Sequence, residues 1–160
     1  MKLDKRRRIE NKTNYTKRLK LLEAGHKRFV ARKTNRYLIL QIVESDNASD
    51  KVIYSVNTKE LLKHGLPKEN ANSLKSIPAS YLGGYLLGKK IKDSKEMVIL
   101  DLGLISNTKG SRIYAAVKGL NDAGVKINYD DKIIPSKDKI EGEGSKINKN
   151  LFEKIKNSIK

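Results

Sequence analysis

Arginine is confined almost entirely to one end of this chain, and no other sequence feature constrains the protein as strongly. Seven of the eight arginines lie in the first 36 residues: Arg6, Arg7, Arg8, Arg18, Arg28, Arg32 and Arg36. With seven lysines and three acidic residues, this segment carries +11 of the formal net charge of +17. A planar guanidinium matches phosphate and base edges better than an ammonium does. The distribution therefore predicts a nucleic-acid-binding end, carried by a scaffold that the rest of the chain forms.

The composition agrees with one basic domain. A length of 160 residues predicts a single domain with room for an arm or a tail, and 38% hydrophobic residues can build a core. A net charge of +17 predicts a polyanionic partner, because neutralised phosphates release condensed counterions. A general adaptation to solubility or salt is the alternative, but it would not sort arginine from lysine along the chain.

Several classes of site and location are excluded by residues that the chain lacks. It has no cysteine, which excludes disulfides, thiolate metal sites and thiol nucleophiles. Its two histidines, His26 and His64, are too few for a histidine metal cluster, and we interpret both as structural. No apolar run approaches the ~20 residues of a membrane span, and the N-terminus lacks the apolar core of a signal peptide. We therefore expect a cytoplasmic protein.

The N-terminal segment is predicted to contain one helix. Residues 1–12 are basic and have no apolar period, so we expect them to be disordered when free. Asn14 is placed to cap a helix over residues 15–24, and Gly25 to end it. Its apolar seam consists of Tyr15, Leu19 and Leu22.

A hairpin and a third strand follow. Alternation predicts a strand over residues 28–33, and Thr34–Asn35 forms a two-residue connection to a second strand over 36–44. The second strand is apolar on both faces, which predicts cover on both sides. A third strand is predicted over residues 51–56. The hairpin tip is strongly positive because it carries Arg32, Lys33 and Arg36.

The remaining core is predicted to alternate helices and strands. We expect a short helix capped by Thr58, a loop over 66–76 and a helix from Ser76 to about Lys90. Its glycines, Gly83, Gly84 and Gly88, indicate close packing against the sheet. A buried strand over 97–102, a loop, a helix over 111–123 and an edge strand over 125–127 complete an α/β domain with a mixed sheet.

The last 32 residues are polar. Residues 137–146 are typical of a linker, because they include Glu-Gly-Glu-Gly. Asn148 is placed to cap a final helix, which is marginal alone and needs a partner surface. Its apolar side consists of Leu151, Ile155 and Ile159.

Catalytic and nucleotide-binding motifs are weak. Lys109 precedes Gly110 in the loop between the buried strand and the next helix, so the loop does not match a P-loop. At that helix N-terminus, Thr108, Lys109, Ser111 and Arg112 suit an RNA phosphate instead.

Asp101 ends a buried strand, where a catalytic carboxylate could lie, and Glu44 and Asp46 are its only candidate acidic neighbours. We favour a structural or exposed role for these acids. Tyr15 can stack on an unpaired RNA base or pack its ring, and both readings stay open.

Four blocks of residues, in order, give the chain a family resemblance. They run from Arg6 to Leu22, from Arg28 to Ile42, from Pro78 to Lys89 and from Leu100 to Gly124. The last contains Leu-Asp-x-Gly-Leu, Thr-x-Gly-Ser-Arg and Asp-Ala-Gly. Together they resemble ribosomal large-subunit protein eighteen in its archaeal and eukaryotic form, over about residues 6–127.

The resemblance implies an RNase-H-like α/β fold without nuclease chemistry. It implies a structural protein with no cofactor that binds 5S rRNA and bridges it to the large-subunit rRNA beside neighbouring proteins of the central protuberance. We expect a basic arm and helix over 1–26, an α/β core over 27–128 and a linker with a helical extension over 129–160. The rRNA contacts carried over are Arg6, Arg7, Arg8, Lys12, Thr13, Tyr15, Arg18, Arg28, Arg32, Lys33, Asn35 and Arg36, with Lys109 and Arg112 secondary.

Two alternatives stay open at this stage. An RNase-H-like nuclease fits the fold, but the carboxylate cluster that would hold its metal ions is missing. A general DNA-compacting basic protein fits the charge, and competition with bulk DNA separates it from an RNA-specific protein.

Overall fold

A four-stranded mixed sheet forms the centre of the protein in a computed structural model that describes residues 5–46, 49–91 and 97–159. The strands are β1 (Lys27–Lys33), β2 (Leu38–Asp46), β3 (Ser49–Asn57) and β4 (Val98–Asp101). Their order across the sheet is β3-β2-β1-β4. β1 and β3 each run antiparallel to β2, whereas β4 runs parallel to β1. Helices pack on this sheet, which confirms the predicted α/β class.

Alternation along β1 divides the sheet into two faces. Phe29 pairs with Ile42, and these side chains are buried on the inner face. Arg28 and Arg32 lie on the opposite face, which we call the outer face. The prediction that β2 is covered on both sides holds at Val43 of the outer face, which is buried, and is wrong at Ile39, which stays partly exposed like its neighbour Gln41. The outer face therefore has room for other contacts.

Six α-helices accompany the sheet within the described ranges. They are α1 (Arg6–Ile9), α2 (Tyr15–Glu23), α3 (Ile77–Lys90), α4 (Arg112–Asp122), α5 (Lys137–Glu141) and α6 (Lys149–Ile159). Ser76 caps α3 by accepting a hydrogen bond from the Ala79 N–H, and Pro78 lies in the first turn, as predicted. None of these helices is both long and apolar enough to cross a lipid bilayer.

The short helix after β3 differs in type and in cap from the prediction. Thr58–His64 is a 3₁₀ helix, and a second one, Lys68–Ser73, lies in the predicted loop. Asn57, rather than Thr58, caps the first helix through the Lys59 N–H. Thr58 is fully buried, and its hydroxyl accepts a hydrogen bond from the Leu38 N–H at 3.0 Å. The predicted edge strand over 125–127 is reduced to one bridge between Val98 and Ile127.

Glycine brings α3 and α4 into close contact. A Cβ at Gly84 would overlap the carbonyl oxygen of Ala116, and one at Gly119 would overlap that of Tyr81. The two backbones therefore touch where no larger residue fits. The prediction that the α3 glycines face the sheet is wrong for Gly84 and Gly88, whose neighbours belong to α4 and its C-terminal end, and holds for Gly83.

The C-terminal segment folds back onto the core. The predicted linker over 137–146 is wrong, since α5 forms there and Ile140 and Ile147 are buried. Helix α6 packs on α3 of the same chain. It buries Phe152, which lies 5.4 Å from the Tyr81 ring, together with Ile155 and Ile159; Leu151 is only partly buried. The helix thus finds on its own chain the partner surface that its length requires.

Candidate nucleic-acid interface

The N-terminal arm carries one helical turn, α1, with no buried residue. Glu10 holds the turn by accepting Arg6 Nε and Lys12 Nζ, each at 2.8 Å. These two cations lower the pKa of the Glu10 carboxyl below its ordinary value. The structure therefore gives part of the arm a regular turn where we predicted disorder in the free chain. Residues 1–4 of that prediction lie outside the described residues.

Helix α2 begins and ends close to its predicted bounds. The Asn14 side chain accepts the Lys17 N–H at 3.0 Å, and Gly25 adopts a φ of +65° just after the helix. The predicted apolar seam is wrong at Leu19, which is 57% exposed. No residue of α2 is fully buried. The exposed side chains of Lys17, Leu19 and Lys20 are therefore available to a partner.

A cleft of about 280 Å³ separates the arm and α2 from the loop after β4. Five cations and one acid line it, with an apolar floor. The lining residues are Arg7, Lys12, Thr13, Asn14, Lys17, Arg18, Leu21, Arg32, Asp101, Leu102, Gly103, Leu104 and Ile105. A second concavity of about 380 Å³ shares Thr13, Asn14 and Leu104 with it and adds Arg8 and Tyr15. The structure thus brings seven of the predicted contact residues to two adjoining hollows.

Arg32 lies against the loop that closes the cleft. Its Nη1 donates to the carbonyl oxygens of Ala31 and Asp101, each at 3.2 Å. Gly103 has a φ of +60°, and a Cβ there would lie 3.2 Å from Arg32 Nη2. Glycine both permits this backbone conformation and leaves space for the guanidinium. The loop and the arginine therefore form one wall of the cleft.

Arg28 is almost fully buried, which argues against the predicted rRNA contact, although that contact stays a prediction. Its side chain is 2% exposed and makes ion pairs with Asp50 at 2.6 Å and with Asp101 at 2.8 Å. A charge buried this deeply requires a paired partner, and here two carboxylates provide it. Asp101 is therefore occupied by Arg28, in the structural role that we favoured. Among the described residues no group of three His, Cys, Asp or Glu side chains could hold a metal ion.

The hairpin tip exposes the three remaining predicted contacts of this region. They are Lys33, Asn35 and Arg36. The connection between β1 and β2 is residues 34–37, which is longer than the predicted two residues, because Thr34 bonds Tyr37 through its N–H and its hydroxyl. Lys59 lies 4.2 Å from the centre of the Tyr37 ring. The tip therefore presents two cations on a turn that its own contacts fix.

Two secondary candidates lie away from the cleft. Lys109 is exposed and Arg112 half-buried at the N-terminus of α4, and neither lines the cleft.

Tyr15 at the start of α2 is partly buried, and Lys5 Nζ lies 4.6 Å from the centre of its ring. The Tyr15 ring thus contacts a cation of the same arm on one side and stays partly exposed to solvent.

Lys17 and Asp50 were absent from the predicted site. Lys17 lines the cleft four residues before Leu21, so a helical wheel of α2 places both on one face. Asp50 accepts hydrogen bonds from Arg18 and Arg28, but it lies at the polar start of β3, where the sequence alone gives no sign of such distant partners.

Comparison with known proteins gives the family of this chain. A family described as ribosomal large subunit proteins 60S L5 and 50S L18 matches residues 1–98. The large ribosomal subunit protein uL18 of Korarchaeum cryptofilum is 45% identical over 139 residues, covering 86% of this chain and 69% of its own. This chain belongs to the uL18 family. The uL18 proteins of Methanoregula boonei and Staphylothermus marinus are 42% and 40% identical, covering 86% and 89% of this chain and 78% and 69% of their own.

Membership of the uL18 family confirms several predictions. The family is structural and non-enzymatic, which confirms that the chain is not an enzyme and sets the nuclease alternative aside. It also confirms the archaeal type and the expected place in the large ribosomal subunit. The finer RNase-H-like assignment and the division into three segments stay predictions.

Proposed function

We propose that this uL18 protein binds 5S rRNA and bridges it to the large-subunit rRNA in the central protuberance. Family membership supplies the ribosomal setting with rRNA and ribosomal proteins as partners. The observation that supports the finer proposal is the cleft, where five cations from the arm, α2 and β1 surround one space. Cations that converge on one space hold a phosphate backbone in a defined register, whereas scattered cations do not.

The residues proposed to contact rRNA follow the structure. Arg28 is removed because it is buried, and Lys17 is added because it lines the cleft. The proposed set is Arg6, Arg7, Arg8, Lys12, Thr13, Tyr15, Lys17, Arg18, Arg32, Lys33, Asn35 and Arg36, with Lys109 and Arg112 as secondary contacts.

The residues around the cleft have two roles: some neutralise phosphate charge, and Arg32 provides a fixed position for the RNA. The arm and α2 supply exposed cations that neutralise phosphates and release counterions. Arg32 is held by backbone carbonyls, so its position is set before RNA arrives. The exposed hairpin tip adds a second basic surface, which suits a protein that joins two RNA molecules.

Filter binding of 5S rRNA over a range of salt concentrations tests the proposal. We expect affinity to fall steeply with salt, with a slope of about −0.7 to −0.9 for each phosphate contacted. Deleting residues 1–13 leaves α2 and its cap in place and should weaken binding at least ~10-fold, because it removes Arg7, Lys12 and Thr13 from the cleft. A shallow slope, or unchanged binding by the shortened chain, would contradict the proposal.

Two controls address specificity and bridging. Bulk DNA should compete poorly, and equal competition would instead favour a general basic nucleic-acid-binding protein. Labelled 5S rRNA should sediment with a large-subunit rRNA fragment only when the protein is present. If no ternary complex forms although 5S rRNA binds, the bridging part of the proposal fails.

A further inference from the structure

A chain of ion pairs crosses the outer face of the sheet. Arg18 of α2 contacts Asp50 of β3 at 2.9 Å, Asp50 contacts Arg28 of β1 at 2.6 Å, and Arg28 contacts Asp101 of β4 at 2.8 Å. We call these four residues the arginine–aspartate chain. It joins the helix of the basic segment to three of the four strands.

Asp50 is the point where the helix meets the sheet. Its two carboxylate oxygens divide between the partners: Oδ2 accepts Arg18, while Oδ1 accepts Arg28 and the Ser45 hydroxyl, the latter at 2.7 Å. Burial raises the pKa of this carboxyl, but the hydrogen bonds from Ser45, Arg18 and Arg28 outweigh it and leave the pKa below its ordinary value. The carboxylate therefore stays charged at neutral pH.

Helix α2 is otherwise only partly buried, with Leu21 and Leu22 half-exposed. None of its residues is fully buried, and Leu19 is 57% exposed. Yet Lys17, Arg18 and Leu21 of this helix line one side of the cleft, and Arg32 lies on the other. The width of the cleft therefore depends on where Asp50 holds Arg18.

From this geometry we infer that Asp50 is a positioning residue for RNA binding: it anchors α2 through Arg18, so that the cations of the arm and α2 face Arg32 across one cleft. The inference rests on the proposed function. An acid in a protein of net charge +17 would ordinarily oppose RNA binding. Here an acid supports it, because the order that it imposes on the cations outweighs the charge that it removes.

The direction in which one substitution changes the affinity for 5S rRNA tests the inference. Asp50→Asn removes one negative charge, so charge alone predicts tighter binding of 5S rRNA. Positioning predicts binding about five- to tenfold weaker at the same salt concentration. Asp46→Asn is the matched control: it makes the same charge change on the same hairpin at an exposed carboxylate, and should bind as well as the parent or slightly better. Binding by Asp50→Asn as tight as by the control overturns the inference.

Two further readouts separate positioning from general loss of structure. In the Arg18→Gln background, where the anchor is already broken, Asp50→Asn should have little further effect on affinity; additive losses overturn the inference. Amide hydrogen exchange should accelerate in α2 and stay unchanged in α3 and α4, which contribute no partner to Asp50. Should Asp50→Asn fail to fold, Ser45→Ala takes its place: charge predicts no change, and positioning predicts about twofold weaker binding.

The outcome for the parent protein distinguishes the two failures. If the parent chain itself does not prefer 5S rRNA to bulk DNA, the proposed function fails. If the parent binds selectively and Asp50→Asn binds equally well, only the positioning role fails.

Discussion

On the inner face of the sheet, α3 and α4 meet through glycine and bury apolar side chains, whereas on the outer face α2 buries none of its residues fully. The first arrangement depends on shape, since Gly84 and Gly119 let two backbones touch. The second depends on charge, since Arg18 reaches Asp50 at 2.9 Å. Shape-based packing is insensitive to salt, whereas ion pairs that are about one-third exposed are weakened by it. Added salt should therefore weaken the attachment of α2 to the sheet while the packing of α3 against α4 stays unchanged.

The largest effect that the comparison predicts concerns the inner face. Gly84→Ala places a Cβ against the Ala116 carbonyl, a backbone atom that cannot move without separating the helices. We expect a loss of about 4 kcal/mol in the free energy of unfolding, or failure to fold, measured by urea denaturation. Lys89→Ala, at an exposed position of the same helix, should change it by less than about 0.5 kcal/mol. Equal stability of the two variants would break the comparison.

An intermediate effect concerns the basic segment. Replacing Arg6, Arg7 and Arg8 with glutamine should weaken 5S rRNA binding about 30-fold and reduce the salt slope by about 2, while the melting temperature stays the same, because α1 has no buried residue. The matched control removes the same charge elsewhere: Lys63, Lys89 and Lys154, all exposed, become glutamine. If both triple variants lose the same affinity, net charge rather than the arm governs binding.

The smallest effect concerns the ion pair between Glu60 and Lys90, and it tests whether an ion pair on the α3 side of the sheet contributes to the free energy of unfolding. Burial raises the pKa of Glu60, but the Lys90 ammonium at 2.6 Å and the Asn57 N–H outweigh it and lower the pKa. A lowered pKa stabilises the folded state above the unfolded pKa of about 4.3, and this stability is lost as pH falls through the folded pKa. Glu60→Gln should therefore cost about 0.5 kcal/mol at pH 7 and nothing at pH 2.

Thermal unfolding at several pH values gives that measurement. Glu69→Gln, an exposed residue with the same charge change, should stay within about 0.3 kcal/mol of the parent at every pH. A Glu60→Gln effect that persists at pH 2 would mean that the side chain acts through packing rather than charge.

Local signals in the sequence located much of the fold. Asn14 and Gly25 bound α2 through a cap and a left-handed turn, and Pro78 marks the first turn of α3. Each of these signals acts within a few residues, so the sequence alone reveals it. The linker prediction failed for the same reason: Ile140 and Ile147 are isolated among polar residues, and only the assembled core shows that they are buried.

The candidate site was predictable in charge but not in arrangement. Arginine clustering indicated a basic arm and hairpin, and Arg7, Arg18 and Arg32 do share one cleft. Arg28 looked the same in sequence, yet its partners lie 22 and 73 residues away. Only the register of β1 with β4 brings Asp101 beside it. Whether an arginine is exposed or buried thus depends on contacts with residues distant in the sequence, which no local pattern predicts.

The burial of Arg28 has a consequence for how the protein is made. During synthesis this arginine leaves the ribosome well before Asp101, which follows 73 residues later. Until β4 emerges, Arg28 lacks one of the two carboxylates with which it pairs in the folded protein. The interior charge of β1 is therefore fully paired only after the last strand of the sheet is in place.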